Sequence, residues 1–200
     1  MRRIIVNIAV SADGFIARSD GGIDWLHDPR FKGDYGMPAF FRTIDTILWG
    51  GITYRESLDR GGVEPFGPTV RHVVFTSRPS GPAARVEFTR EPVRAVAARL
   101  RRAPGKHIWM MGGGKLIASF LDAGEIDEFL MHVIPTFIGE GVPLLAPRHR
   151  TVPLVLKSAR RFPDGVVRLH YLVARRQFGQ TARAKTRPRR PGKRARKRAA

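Results

Sequence analysis

The 200-residue sequence contains no cysteine. This absence excludes a disulfide framework, cysteine-ligated zinc, an iron–sulfur cluster and a cysteine nucleophile. The six histidines are scattered and lack acidic residues at paired spacing, so no metal site is predicted. No uncharged apolar run approaches the roughly 18 residues of a membrane span. These absences predict a soluble protein without membrane contact, and the lack of cysteine is compatible with a cytoplasmic location.

Acidic residues are missing from one end of the chain. Residues 175–200 contain 12 basic and no acidic residues, whereas residues 1–174 contain 24 basic and 17 acidic residues. Most of the formal net charge of +19 therefore belongs to the C-terminal segment. Its arginine, lysine, proline, glycine and alanine residues bury too little apolar surface to fold alone. We expect a globular domain over residues 1–174 and a basic, disordered tail over residues 175–200.

Short apolar runs alternate with helical patterns along the first 174 residues. Ile4 to Val10 is typical of a central strand that is buried on both faces. The glycine- and aspartate-rich stretch from Ser11 to Gly36 predicts a long loop with a short helix. Further strands are predicted at TILWGG, Arg71–Thr76, Val86–Thr89, His107–Met111 and Glu128–Ile134, and helices at MPAFFRTI, Pro92–Arg102 and Lys115–Ala123. Leu154–Arg161 and Val166–Val173 flank the turn Pro163-Asp164-Gly165 and predict an antiparallel hairpin. The predicted fold class is α/β, with helices on both faces of a mixed, mostly parallel sheet of about eight strands.

The strongest candidate site is IWMMGGGKLIASFL, in which a strand runs through Gly112, Gly113 and Gly114 into a helix that begins with Lys115. Glycines allow a ligand to approach the backbone closely, and the start of a helix offers free N–H groups to a phosphate. A dinucleotide pyrophosphate would suit this arrangement. A tight strand-to-helix turn without a ligand is the alternative. The spacing matches neither the G-x-G-x-x-G fingerprint nor a P-loop.

Two weaker candidate sites also follow strands. In WGGITYRES, Gly50 and Gly51 free the backbone and Thr53 could donate to a phosphate; a simple turn is the alternative. In VFTSRP, the residues 76–78 emerge at a strand end, the edge of an α/β sheet where ligands usually bind. Hydroxyl groups beside Arg78 would suit a monoester phosphate such as the 2′-phosphate of NADP, and a solvated turn is the alternative.

The order of these segments resembles the dihydrofolate-reductase-like superfamily, which has a three-layer fold. NIAVSADGFIA is similar to its first strand and mobile loop, and WGGITYRES, VFTSRP and MMGGGKLI are similar to its phosphate loop, 2′-phosphate edge and glycine turn. HVIPTFIGEGVPLL more closely resembles the C-terminal reductase domain of the bifunctional riboflavin-biosynthesis deaminase-reductase and its stand-alone relatives. The resemblance covers residues 3–174.

The resemblance implies an NADPH site and a role for each matching residue. It implies a nicotinamide pocket, phosphate contacts, an adenosine edge and a pyrophosphate loop, and a cis peptide bond between Gly112 and Gly113. The residues concerned are Ala9 and Ile16 for the nicotinamide, Gly50, Gly51, Ile52 and Thr53 for the phosphates, Thr76, Ser77 and Arg78 for the adenosine end, and Gly112, Gly113, Gly114, Lys115 and Leu116 for the pyrophosphate. Related domains are commonly dimers, so the resemblance also implies a homodimer.

The sequence departs from the superfamily pattern at two positions. Gly51 stands where the phosphate loop often has an arginine, so a preference for NADPH must depend on Arg78, Arg71 or Lys115. Met131 stands where folate reductases have a threonine that supports the pterin site, which disfavours folate reduction.

The catalytic acid is predicted from the same resemblance. Asp34, just before the first helix, is the candidate, with a helix cap as its alternative role. Trp25 is the candidate residue for closing over the substrate. Asp13 and Asp24 are interpreted as turn and loop residues, and His132 as a packed or hydrogen-bonded histidine.

Two functions of different classes remain open. The first is an NADPH-dependent reductase that resembles 5-amino-6-(5-phosphoribosylamino)uracil reductase and transfers hydride to a C=N bond or a ribosylamine-type heterocycle. The second is a nucleic-acid-associated protein that binds nonspecifically through the basic tail, with the domain as a scaffold.

Overall fold

The computed structural model describes residues 1–79 and 85–174. The predicted tail, residues 175–200, lies outside the described residues. The elements of the described part follow the predicted alternation of strands and helices. The strands are β1 (Ile4–Ser11), β2 (Phe15–Ala17), β3 (Ile44–Gly50), β4 (Arg71–Phe75), β5 (Val86–Thr89), β6 (His107–Gly112), β7 (Glu128–Ile134), β8 (Val142–Pro143), β9 (Leu154–Arg161) and β10 (Val167–Val173); the α-helices are α1 (Met37–Phe41), α2 (Gly51–Leu58), α3 (Val93–Arg102) and α4 (Gly114–Asp122). Two 3₁₀ helices cover Asp24–Leu26 and Glu64–Phe66.

Eight strands form one mixed sheet in the order β5-β4-β3-β6-β1-β7-β10-β9. All neighbours from β5 to β7 are parallel, and β10 pairs antiparallel with both β7 and β9. The mixed, mostly parallel sheet and the C-terminal hairpin are therefore confirmed. Because β1, β3 and β6 are neighbours, the turns that follow them meet at one edge of the sheet.

Helices cover both faces of the sheet and give three layers. On one face, Ile4, Val6 and Met110 pack with residues of α3 and α4, including Leu100 and Phe120. On the other face, the alternate strand residues pack with α1, α2 and the 3₁₀ helix 64–66. These alternate residues are Ile5, Ile47, Trp49, Val74 and Trp109, which pack against Phe40, Tyr54 and Phe66. Strands with apolar residues on both faces are what a covered, largely parallel sheet requires.

The region predicted as a loop, Ser11 to Gly36, contains more structure than expected. The short strand β2 pairs antiparallel with β8, joining Phe15 to Pro143 and Ala17 to Val142. Elements of two or three residues are too short to show a hydrophobic period, so they become visible only through their long-range partner. In the part of the chain that the structure describes, no helix has the length and apolar character of a membrane span.

Candidate functional site

A cavity of about 1040 Å³ opens at the carboxyl ends of β1, β3 and β6. This is the edge at which ligands bind in open α/β sheets. Apolar side chains form most of its wall, among them Ile8, Phe31, Met37, Phe75 and Met111. An apolar cavity with few polar groups is typical of a site for a cofactor or small molecule.

The turns after β3 and β6 contact each other at the cavity. A Cβ atom added to Gly50 would lie 3.3 Å from the carbonyl oxygen of Gly112, and one added to Gly113 would lie 3.1 Å from Thr53 Oγ1. The peptide bond between Gly112 and Gly113 is cis, as the resemblance implies. The missing side chains leave room for a ligand to approach the backbone at the beginnings of α2 and α4.

Two further glycines are fixed by close packing from outside the cavity. A Cβ atom on Gly51 would lie 2.7 Å from Thr76 Oγ1, and one on Gly114 would lie 2.4 Å from the carbonyl oxygen of Pro143. The start of α4 is thus packed directly against the end of β8. Side chains larger than hydrogen at these positions would move the backbone that lines the cavity.

The loop above the cavity is tied to the chain around Gly139. Ser11 Oγ donates to Asp13 Oδ1 at 2.6 Å, and the N–H groups of Ile138 and Gly139 donate to Asp13 Oδ2 at 3.1 and 2.8 Å. The Ser11 hydrogen bond is the largest cause that lowers the pKa of Asp13. These contacts, with the pairing of β2 and β8, hold Ile16 in the cavity wall. The interpretation of Asp13 as a turn residue agrees with this geometry.

Asn7 and His132 form a polar pair in the cavity wall beside Ala9. His132 Nε2 lies 3.0 Å from Asn7 Oδ1, and its Nδ1 is buried without a hydrogen-bond partner among the described residues. Burial disfavours the imidazolium and, together with the charge of Arg168, lowers the pKa of His132 to about 4. The pair therefore presents neutral groups at neutral pH, as a packed and hydrogen-bonded histidine would.

Tyr35 closes the cavity on the side of the β9–β10 hairpin. Its hydroxyl donates to Asp164 Oδ2 at 2.5 Å, and its ring lies edge-on to His132 with the centroids 6.1 Å apart. Burial, followed by the hydrogen bond to Asp164, raises the pKa of Tyr35. The tyrosine ring is thus held in place by the same turn, Pro163-Asp164-Gly165, that closes the domain.

Glu56 is a cavity residue that the sequence reasoning missed. It lies on α2, one helical turn after Thr53, and among the described residues it is the sole carboxylic acid in the cavity wall. Burial raises the pKa of its carboxyl against the opposing charges of Arg60 and Arg55, and Asp20 acts in the same direction as burial. The spacing of three residues from Thr53 would have placed it on the same helix face, but nothing in the sequence shows which face meets a cavity.

Most of the predicted cofactor residues lie together in the cavity wall. These are Ala9, Ile16, Gly50, Gly51, Ile52, Thr53, Gly113, Gly114, Lys115 and Leu116. Gly112 is buried behind Gly50, and Thr76 packs behind Gly51, where its Oγ1 accepts the N–H of Arg78 at 3.0 Å. Ser77 and Arg78 are exposed at the end of β4, outside the cavity wall.

Asp34 and Trp25 are not where the sequence reasoning expected them. Asp34 is exposed and outside the cavity wall, and its Oδ1 accepts the N–H of Gly36 at 2.9 Å. Its carboxylate stabilises a turn before α1, because aspartate readily hydrogen-bonds to the backbone two residues on. The N-cap of α1 is Gly36, and no side chain caps the helix, so Asp34 is not the helix cap of the alternative interpretation either. Trp25 is 5% exposed and packs with Ile134, Phe162 and Val166, so it is a core residue and does not reach the cavity wall.

Met131 and His132 point to opposite faces of β7. Met131 packs against the cluster that contains Val6 and Phe129, on the face away from the cavity. His132, its neighbour, lines the cavity. Met131 itself therefore does not contribute to the cavity wall, because successive residues of a strand point in opposite directions. Within residues 1–79 and 85–174, no three histidine or acidic side chains are grouped so as to hold a metal ion.

The fold and site define a dihydrofolate-reductase-like α/β protein. Dihydrofolate reductase from Enterococcus faecalis, solved with NADP(H), superposes with a TM-score of 0.61 at 14% identity, over 86% of this chain and 97% of that one. The deaminase/5-amino-6-(5-phosphoribosylamino)uracil reductase of Thermotoga maritima gives a TM-score of 0.65 at 18% identity, over 86% of this chain and 56% of that one. At these identities the likeness shows the fold alone.

Residues 2–168 match the family model of the RibD C-terminal domain, and the chain belongs to that family. The uncharacterized protein YwjB of Bacillus subtilis (strain 168) is 38% identical over 173 residues, which cover 86% of this chain and 99% of YwjB. A protein of Shewanella sp. PV-4 assigned to riboflavin biosynthesis has a TM-score of 0.75 at 26% identity, over 86% of this chain and 99% of that one. The chain is thus a reductase-like domain of the RibD C-terminal type.

Proposed function

We propose that this protein is an NADPH-dependent reductase that transfers hydride to a C=N bond or a ribosylamine-type heterocycle. The observation that carries the proposal is the meeting of the β3–α2 and β6–α4 turns, where Gly50 and Gly113 keep the backbone free of side chains at the starts of two helices. A side chain at Gly50 or Gly113 would fill this space. The gap fits a pyrophosphate, because two helix starts direct free N–H groups and partial positive charge into it.

The proposed cofactor-binding residues form three groups, and each group would contact a different part of the cofactor. Gly51 to Thr53 and Gly113 to Lys115 would hold the phosphates, and Ala9 with Ile16 would contact the nicotinamide. Thr76, half-buried beside Gly51, and the exposed Ser77 and Arg78 would meet the adenosine end, where Arg78 is available for a 2′-phosphate. When bound, NADPH supplies a hydride to the carbon of the C=N bond, and a proton from an acid or water completes the N–H group. The names of the structural neighbours support reduction of a riboflavin-pathway heterocycle.

Cofactor binding can be measured by tryptophan fluorescence, because Trp49 and Trp109 line the cavity. NADPH should quench the emission in a saturable titration, and NADH should bind more weakly if Arg78 contacts the 2′-phosphate. Arg78→Ala should bring the two affinities together. Absence of binding at millimolar NADPH would refute the proposal.

A further inference from the structure

Most acidic side chains near the cavity already form hydrogen bonds or ion pairs within turns and loops. Asp13 accepts two backbone N–H groups, Asp24 is held by two hydrogen bonds from Arg18, and Asp34 accepts the N–H of Gly36. Asp20 accepts the N–H of Gly22 at 2.8 Å. These carboxylates stabilise turns, and none of them lines the cavity.

Glu56 differs from these acids in its burial, its position and its contacts. It is partly buried and lines the cavity, and its carboxylate forms no hydrogen bond and no ion pair with any described residue. A Cβ atom on Gly21 would lie 2.3 Å from Glu56 Oε1, so the carboxylate is packed against the backbone of the loop that follows β2. Arg55 and Arg60 act on it only through their charge, without a hydrogen bond or an ion pair. A partly desolvated carboxylate without a hydrogen-bond donor is unfavourable for stability, and such groups are concentrated at functional sites.

The position of Glu56 also separates it from the proposed phosphate region. Gly51, Ile52 and Thr53 form the first turn of α2, and Glu56 lies about 4.5 Å further along the helix axis. An acid would repel phosphates, so its presence in the wall marks the part of the cavity beyond the cofactor. Trp49, Phe66 and Trp109 supply flat apolar rings elsewhere in the same wall.

We propose that Glu56 anchors the substrate, with its carboxylate accepting hydrogen bonds from ring and amino N–H groups of an amino-substituted nitrogen heterocycle. The class of ligand rests on the proposed function; the assignment of the anchor rests on the geometry of α2. A planar ring with N–H donors matches both features of the wall, because it stacks on apolar rings and gives the partly buried carboxylate the hydrogen-bond donors it lacks. Glu56 takes the substrate-facing position that the sequence reasoning assigned to Asp34.

Two variants with the same change of charge test this assignment. Glu56→Gln removes the charge inside the cavity, and Asp34→Asn removes a charge outside it while keeping the oxygen that accepts the Gly36 N–H. The probe is 5,6-diaminouracil, titrated by calorimetry into each protein with and without saturating NADP⁺. We expect Glu56→Gln to weaken binding by about 10- to 100-fold, the effect of losing hydrogen bonds to a charged group, and Asp34→Asn to leave binding unchanged.

Thermal melting supplies a readout that a structural role would not give. Removing an unpaired, partly buried charge should leave the melting temperature of Glu56→Gln equal to or above that of the wild type, as is common for functional residues. The assignment is overturned if the wild type does not bind 5,6-diaminouracil, if both variants bind it equally well, or if Glu56→Gln melts several degrees lower. Failure of NADP⁺ to bind would refute the proposed cofactor instead, and the titrations without NADP⁺ would still decide the role of Glu56.

Discussion

Replacing Gly114 by alanine should destabilise the protein, although helix propensity alone predicts the opposite. Gly114 begins α4, where an alanine would favour the helix by up to about 1 kcal/mol. The new Cβ atom would lie 2.4 Å from the Pro143 carbonyl oxygen, about 1 Å closer than a normal van der Waals contact. A flexible side chain could move away at little cost, but this contact is with backbone.

The backbone around Gly114 has little freedom to relax. Leu144 donates its N–H to the Gly14 carbonyl oxygen at 3.1 Å, and Ala146 donates to the Gly114 carbonyl oxygen at 3.3 Å. Overpacking of a tight site costs about 1 to 3 kcal/mol, so after the gain in helix propensity we expect a net loss of about 1 to 2 kcal/mol. For a domain of this size that corresponds to a melting temperature about 2 to 8 °C lower.

The same displacement should weaken cofactor binding. A shift of about 1 Å at Gly113 and Lys115 would misplace the N–H groups proposed to hold the pyrophosphate, and NADPH affinity should fall by at least about tenfold. Differential scanning fluorimetry and fluorescence titration measure both effects. Lys115→Ala is the control for stability, because it places the same residue at an exposed neighbouring position of α4 without introducing a new atom into a packed site. A Gly114→Ala protein that melts at or above the wild-type temperature would refute the packing argument.

Four further predictions concern charge, pH and assembly. His72 is fully buried, and burial lowers its pKa to about 4, so its imidazole binds a proton more readily in the unfolded state. Between pH 7 and pH 5, this residue should therefore lower the free energy of unfolding by about 2 kcal/mol. His72→Asn should reduce that pH dependence in urea unfolding curves. Lys115→Ala should weaken NADPH binding by about three- to tenfold while leaving the melting temperature unchanged, and an equal affinity would remove Lys115 from the proposed phosphate site. Deleting residues 177–200 should abolish nucleic-acid binding in a gel-shift assay and leave NADPH binding intact; persistence of nucleic-acid binding would contradict the role predicted for the tail. In β9, Leu154, Val155 and Leu156 are 42%, 55% and 53% exposed, so this strand offers an apolar surface for the expected homodimer. If the dimer forms there, light scattering should show that Val155→Lys converts it to a monomer. A monomeric wild type would contradict the homodimer itself.

The predicted loss of stability at low pH depends on the hydrogen bond between Trp49 and His72. Trp49 Nε1 donates to His72 Nδ1 at 3.0 Å, and His72 Nε2 is buried without a partner among the described residues. Protonation of Nδ1 would break the hydrogen bond and place a charge in the core. The contribution of His72 to stability is therefore complete above its ordinary pKa of 6.5 and is lost as the pH falls from there towards 4. His132, with its pKa also lowered to about 4, acts in the same direction.

Local pattern was sufficient for most of the secondary structure. The apolar runs of β1, β3 and β6 predicted strands because both faces of a covered sheet must be apolar. The amphipathic period of α3 and α4 predicted helices that pack on one face. Strands β2 and β8 were missed, because each has at most three residues and is defined by the other across more than a hundred positions of chain. Their pairing is nevertheless what holds Ile16 in the cavity wall.

Asp34 and Trp25 show why the position of a side chain relative to the cavity could not be assigned from residue type alone. Asp34 precedes a helix and carries a suitable carboxylate, but its backbone geometry turns Oδ1 towards the N–H of Gly36. Trp25 was expected near the substrate and instead fills a core with Phe162 and Val166, which come from the far end of the chain. Trp25 is placed by contacts more than a hundred residues away, which no local sequence window contains. Asp34 is placed by a local hydrogen bond, but the same residue type two positions before an N–H group is compatible with either role until the structure shows that the carboxylate lies outside the cavity.

The sequence by itself determined the alternation of strands and helices, the glycine-rich turns after β3 and β6, and the concentration of basic residues at positions 175–200. Each of these follows from composition or from a period of a few residues. The tertiary structure alone decided that Gly50 touches Gly112, that Gly114 packs on Pro143, and that Glu56 faces the cavity while Asp34 does not. Such contacts depend on strand order and on which face of the sheet each helix covers, because these bring together residues that are far apart in the chain. Local sequence patterns do not determine either of them.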